Sequence, residues 1–126
     1  KIASDFVRVL RTLDGCEIGA VGSRKQESAD GFVSALGLGE EVKAYGSYEA
    51  VATDPFVDIV YVATPSLRHV DDSLMCLKAG KAVLCEKSMA RTVQEAERVL
   101  SEAKKARQFF LHGVWSRFFP AMGTIR

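Results

Sequence analysis

Residues 57–85 read VDIVYVATPSLRHVDDSLMCLKAGKAVLC, and this stretch decides the fold class. Its first seven residues are largely β-branched and nearly continuous in their apolar character, the pattern of a strand covered on both faces, and Thr64-Pro65 ends it. Val70, Leu74 and Leu77 then recur at helical spacing as far as Gly80, and residues 82–85 form a second short apolar strand. Strand, helix and strand within about 30 residues make a βαβ unit, whose crossover is right-handed and whose strands are parallel.

The same alternation continues on either side. Towards the start, Ile2, Phe6, Val9, Leu10 and Leu13 fall on one face of a helix that Asp14-Gly15 breaks, and residues 16–22 read as a buried strand. Ala29, Phe32, Val33 and Leu36 line a second helix closed by Gly37, with residues 37–41 the loosest stretch. Residues 42–45 are a brief strand, and residues 47–52 a short helix that stops before Asp54-Pro55. Towards the end, Thr92-Val93-Gln94-Glu95 is a capping box, opening a helix whose Val93, Ala96, Val99, Leu100 and Ala103 share one face. Residues 109–114 are the last strand, with Phe109 and Phe110 read as core, and a further helix begins as the chain reaches Arg126. Helices and strands alternating in this way specify α/β architecture, a doubly wound parallel sheet with helices on both faces.

Composition agrees. With 126 residues, 48% of them hydrophobic and 26% charged, the chain has a globular balance and can bury about two-thirds of its unfolded surface. Seventeen basic residues against sixteen acidic ones leave a net charge of +1, with no basic run to attract nucleic acid or a membrane surface. No apolar stretch nears the roughly 18 residues of a membrane span. Cys16, Cys76 and Cys85 are scattered without C-x-x-C spacing, which disfavours disulfides and favours a reducing, cytoplasmic setting. Two histidines and these cysteines do not make a zinc set, so no metal is expected. His112 is read as a hydrogen-bonded structural histidine and Cys85 as a small hydrophobe.

In open parallel sheets, ligands bind where the carboxyl ends of the strands meet loops and helix N-termini. Polar, charged and aromatic residues gather at those ends here: Ser23-Arg24-Lys25, Thr64-Pro65 with His69, Glu86-Lys87-Ser88, and Trp115-Ser116-Arg117. Lys1-Ile2-Ala3 fits the last three positions of a G-x-G-x-x-G/A dinucleotide turn, with the first strand and both diagnostic glycines lying before Lys1. The residue that meets the adenine ribose is expected about 20 positions on. Ser23 and Arg24 stand there, with no carboxylate for a ribose 2′-hydroxyl. A hydroxyl beside a guanidinium suits a 2′-phosphate, favouring NADP over NAD. The plainer alternative at this point is that Arg24 is a solvated first-turn residue.

The run from Ala44-Tyr45-Gly46-Ser47-Tyr48-Glu49 through Asp54-Pro55-Phe56-Val57-Asp58 to Thr64-Pro65, then His69, then the stretch from Cys76-Leu77-Lys78-Ala79-Gly80-Lys81 to Cys85-Glu86-Lys87, resembles the Gfo/Idh/MocA oxidoreductases. Within that family, Trp115-Ser116-Arg117-Phe118-Phe119-Pro120 is most similar to the dihydrodiol dehydrogenase and NADP-dependent xylose dehydrogenase branch. The resemblance covers nearly the whole chain. It implies a Rossmann-type domain over residues 1–120, truncated at its start, with residues 121–126 beginning the connection to a substrate domain. That second domain, mostly antiparallel sheet and often a homodimer interface, lies outside this sequence. By the same resemblance, Ser23 and Arg24 hold the adenosine phosphate of NADP, and Thr64, Pro65 and His69 flank the cofactor. Glu86 and Lys87 sit near the nicotinamide, and Trp115 and Arg117 border cofactor and substrate.

The implied activity is hydride transfer between nicotinamide and a carbinol of a cyclic diol or an aldose sugar. Lys87 is then the catalytic residue, because loss of hydride from a carbinol leaves a developing carbonyl whose oxygen an ammonium can stabilise, or whose hydroxyl proton a lysine of lowered pKa can relay. The plainer alternative is a Glu86-Lys87 turn pair open to water. A second functional reading is a non-catalytic, dinucleotide-binding regulatory protein on the same fold. Position 88 is serine where the family commonly has proline. A cis bond before a non-proline residue costs about 2.5–4 kcal/mol, so a trans Lys87–Ser88 bond, displacing Lys87, is expected.

Overall fold

The computed structural model describes residues 1–125. Its elements are α1 (Ile2–Leu10), β1 (Ala20–Gly22), α2 (Gln26–Ala35), β2 (Lys43–Tyr45), α3 (Tyr48–Thr53), β3 (Ile59–Val62), α4 (His69–Lys78), β4 (Ala82–Glu86), α5 (Val93–Ala106), β5 (Phe110–Gly113) and α6 (Pro120–Ile125). Single 3₁₀ turns at Ser66–Arg68 and Trp115–Phe118 follow β3 and β5. The chain divides into two compact units, Lys1–Val60 and the part from Tyr61 onwards.

In the first unit, β1 and β2 pair in parallel, with Ala20, Val21 and Gly22 opposite Lys43, Ala44 and Tyr45. The strand expected over residues 16–22 is therefore shorter: β2 offers only three residues to pair with, and residues 16–19 remain outside the ladder. α1 likewise stops at Leu10 rather than Leu13. The amides of Thr12 and Leu13 bond three residues back, to Val9 and Leu10, which tightens the last turn out of the α-helix. Gly37, at φ +56°, takes the left-handed position past the end of α2, as the sequence pattern requires.

Asp54 anchors this unit. Past the last turn of α3, which Ser47 opens by capping the Ala50 amide, its carboxylate accepts from the Phe56 amide at 2.9 Å, the Lys43 ammonium at 3.0 Å and the Tyr45 hydroxyl at 2.9 Å. The Lys43 ammonium also lies 4.7 Å from the centre of the Phe56 ring. The Phe56 amide first, then Lys43 and Tyr45, hold the carboxyl at about 2 against an ordinary 3.8, outweighing the opposing effect of burial. Because the folded value lies below the unfolded one, this stabilisation is present above pH 3.8 and is lost as pH falls through about 2. The urea midpoint of the native protein is expected to exceed that of Asp54→Asn near neutrality. The gap should close as pH falls from 3.8 to about 2, and a gap that stays constant with pH removes Asp54 from this role.

The other sheet has the order β3-β4-β5. β4 and β5 are parallel, with Val83, Leu84, Cys85 and Glu86 opposite Phe110, Leu111, His112 and Gly113. Val83 and Cys85 are fully buried, and α4 supplies Leu74, Cys76 and Leu77 to the same core. α5 opens as its capping residues dictate: the Thr92 hydroxyl accepts from the Glu95 amide at 3.2 Å. The Glu95 carboxylate is taken by the amide and guanidinium of Arg91. Three expectations about burial are corrected. Ile59 at the edge strand, Val93 in the first turn of α5, and Phe109, one residue before β5, are all more than half exposed, so β3 is not covered along its length and Phe109 is not core.

In the doubly wound order 3-2-1-4-5-6, strands 2 and 3 pair on one side of strand 1, and strands 4, 5 and 6 form the other. The pair β1-β2 and the triple β3-β4-β5 match those two sets. No strand corresponding to the central one occurs among the described residues.

Candidate active site at the strand ends

The first unit presents Ser23 and Arg24 directly after β1. The Ser23 amide bonds the Tyr45 carbonyl at 2.9 Å, so the chain leaves the ladder only at this residue. Arg24 and Lys25 are exposed, and neither is paired with a carboxylate among the described residues. α2 begins at the next position, and a Cβ on Gly46 at the end of β2 would stand 2.9 Å from the Gln26 amide nitrogen. Only glycine lets the β2 end approach the start of α2 so closely. The result is a hydroxyl and two unpaired cations at one strand end, a donor set whose chemistry suits a phosphate.

The second unit carries the other sequence-predicted residues and binds three strand ends to one another. Glu86, the last residue of β4, is 5% exposed, and both its carboxylate oxygens are occupied. Oε1 accepts from the Tyr61 hydroxyl on β3 at 2.7 Å and from the Trp115 indole N–H past β5 at 3.2 Å; Oε2 accepts from the Lys87 amide at 3.1 Å. Burial pushes the Glu86 carboxyl up, but these three bonds and the Lys87 charge outweigh it and hold it below the usual carboxylate value. Burial, and then the Glu86 carboxylate, push the Tyr61 phenol well above its ordinary value, so Tyr61 stays a donor. Lys87 itself is exposed immediately beyond this knot, as are Trp115 and Arg117.

His69, by contrast, is 1% exposed. Its Nδ1 lies 2.8 Å from the Ser88 carbonyl oxygen and its Nε2 2.7 Å from the Thr64 carbonyl oxygen. His69 thus lies between the loops that follow β3 and β4, each ring nitrogen within hydrogen-bond distance of one carbonyl oxygen. The Thr64 hydroxyl is also engaged, donating to Asp72 at 2.7 Å, and the same carboxylate receives the Arg68 guanidinium through two nitrogens. Pro65 is exposed and caps the 3₁₀ turn that leads into α4.

The Lys87–Ser88 peptide bond is cis. This corrects the expectation of a trans bond. The carbonyl of Ser88 is held by His69, and the next amide, Met89 N–H, donates to His112 Nε2 at 3.3 Å. His112 thus has the structural role read from sequence. Burial, and then the charges of His69 and Arg117, lower its pKa, which suits the neutral ring that this acceptor role needs. Burial likewise raises the Cys85 thiol and pushes Cys76 up to about 12, leaving both as packing residues rather than nucleophiles.

Tyr61 and Asp72 escaped the sequence reading as site residues. A phenol interrupting an otherwise aliphatic strand was the available signal for Tyr61. For Asp72 it was the Arg68–Asp72 spacing of four on a helix.

Residues 1–113 match the family model described as oxidoreductase family, NAD-binding Rossmann fold, of the GFO_IDH_MocA group. The chain belongs to the Gfo/Idh/MocA oxidoreductase family. Over 127 aligned residues it is 42% identical to trans-1,2-dihydrobenzene-1,2-diol dehydrogenase of Mus musculus and 41% identical to that of Bos taurus. Each alignment covers 99% of this chain but 37% of the relative, so the chain spans a little over a third of the curated relatives it matches. Among solved structures, a 3-ketoreductase variant from Actinomadura kijaniata in complex with TDP-benzene and NADP superposes with a TM-score of 0.89 at 24% identity, covering 99% of this chain and 39% of that one. A probable dehydrogenase from Thermotoga maritima gives 0.87 at 24% identity, covering 99% and 36%. At that identity these two establish the fold alone. No helix among the described residues of this family member is long and apolar enough to cross a membrane.

Proposed function

We propose that the full-length protein carrying this chain is an NADP-dependent dehydrogenase that moves hydride between nicotinamide and a carbinol of a cyclic diol or an aldose, as trans-dihydrodiol or D-xylose 1-dehydrogenases do. The observation that carries this reading is the knot at the end of β4, which presents Lys87 between the ends of β3 and β5 in a chain 42% identical to a dihydrodiol dehydrogenase. Residues 1–120 are the nucleotide-binding domain, and residues 121–126 lead into a substrate domain through which the protein pairs as a homodimer. Three free cysteines suit a reducing, cytoplasmic setting.

The residues present fit the dinucleotide. Ser23 and Arg24 receive the 2′-phosphate of the adenosine half, where a guanidinium fork and a hydroxyl supply charge-assisted donors. The bound nicotinamide supplies or accepts the hydride. Thr64 and Pro65 shape the cofactor wall through their backbone turn, and His69 supports that wall from below. Lys87 contacts the substrate hydroxyl and stabilises negative charge on its oxygen as the proton leaves. Glu86 orients Lys87 and Trp115, and Trp115 and Arg117 border the substrate.

Supplying the complete protein with NADP and either benzene trans-dihydrodiol or D-xylose, and following reduced nicotinamide by its absorbance, tests this directly. Turnover with one of these carbinols is expected. Saturable NADP binding without turnover on any diol or aldose would instead favour the regulatory, non-catalytic reading.

A further inference from the structure

We propose that Tyr61 is a positioning residue of this site, acting through Glu86 to fix the Trp115 indole and the Lys87 backbone; this deepens the reading above and rests on it. Tyr61 lies on β3, the neighbour of β4 in the sheet, and its hydroxyl reaches the carboxylate of Glu86 at the last position of β4. That contact, at 2.7 Å, is the shortest of the three donated to Glu86. Phenol O–H bonds to an ionised carboxylate are of the strong, charge-assisted kind.

The arrangement serves the surface more than the core. A carboxylate buried to 5% exposure is costly unless its oxygens are satisfied, and an aliphatic residue would fill the end of β4 without that cost. What the carboxylate does here is hold two groups that are themselves open. Trp115 is 52% exposed, so its indole gains little from packing, and its N–H bond to Oε1 sets the ring's direction. The Lys87 amide on Oε2 sets where the chain turns out towards the site. Tyr61 shares Oε1 with Trp115, and through Glu86 one half-buried hydroxyl on β3 restrains both the tryptophan past β5 and the lysine past β4.

The test is made on the complete protein with the carbinol that it oxidises. Tyr61→Phe removes a single oxygen and is expected to lower kcat about fivefold to tenfold while leaving the NADP dissociation constant within about twofold. In a Trp115→Phe background the same substitution should cost measurably less, because part of what it acts on is gone. Emission from Trp115, taken as the difference between variants with and without that residue, should shift in Tyr61→Phe. Glu86→Gln, which keeps the size but not the charge, should lower kcat in the same way. A purely structural Tyr61 predicts a lower melting temperature with unchanged kcat per NADP site, equal costs in both backgrounds and no emission shift, and that pattern overturns the proposal. The reading on which it rests fails separately. If Lys87→Ala keeps full turnover, the active-site assignment is wrong; if Lys87→Ala is inactive while Tyr61→Phe keeps full kcat, only the positioning role is lost.

Discussion

Lys87→Ala in the complete protein is expected to lower kcat by about 10²–10⁴-fold, the usual contribution of a positioned proton-transfer group, with NADP affinity nearly unchanged. The separation follows from where Lys87 stands. Its backbone is held on one side by the Glu86 carboxylate, and the adjoining Ser88 carbonyl is held by His69, while Lys87 itself is exposed beyond these bonds. Truncating the side chain leaves every one of those backbone contacts in place, so fold and cofactor wall should persist. What disappears, on the proposed function, is the ammonium that would meet developing charge on the carbinol oxygen, an interaction made most strongly in the transition state. Steady-state kinetics paired with nucleotide titration separates the two effects. If kcat holds while affinity falls, Lys87 is a binding group and the proton must leave by another route.

Arg24→Ala is expected to weaken NADP binding by about 10–100-fold, the value of one or two charge-assisted hydrogen bonds, and to leave NAD affinity unchanged. Arg24 is exposed and in no ion pair at the end of β1, so its removal breaks no salt bridge among the described residues. The near-zero net charge sharpens the expectation: with +1 overall, attraction of an anionic cofactor comes from local groups rather than from a general field. The loss should be largest at low ionic strength, because exposed pairs are screened by salt. Equal effects on NADP and NAD would mean that Arg24 meets the pyrophosphate or only solvent.

Much of this was legible in the sequence because it is local. The run at 57–63, the Thr92 cap and Gly37 each act within a few residues; the cap and Gly37 stand as read, and the run forms a strand over Ile59–Val62 that is not covered along its length. Strand ends were less so: residues 16–19 look like strand, but pairing stops where β2 stops. Phe109 and Val93 fit an apolar pattern yet stand in the open, because periodicity assigns a face without saying what covers it. The site divides in the same way. Glu86, Lys87 and Trp115 could be named from their positions after strands. Their connection through Tyr61 could not, since it depends on the register of β3 against β4, a non-local pairing that the local pattern does not encode. His69 too could be named from its position after a strand, but its burial and its place between the Thr64 and Ser88 carbonyls could not.

The most direct measurement is titration of the complete protein with NADPH and, separately, NADH, following the fluorescence of the reduced nicotinamide. Saturable binding of NADPH, tighter than NADH by about tenfold or more through the 2′-phosphate alone, is the expected result. Equal affinity for the two nucleotides, or binding of neither, contradicts the assignment of Ser23 and Arg24 and, with it, the reading of these strand ends as an NADP site.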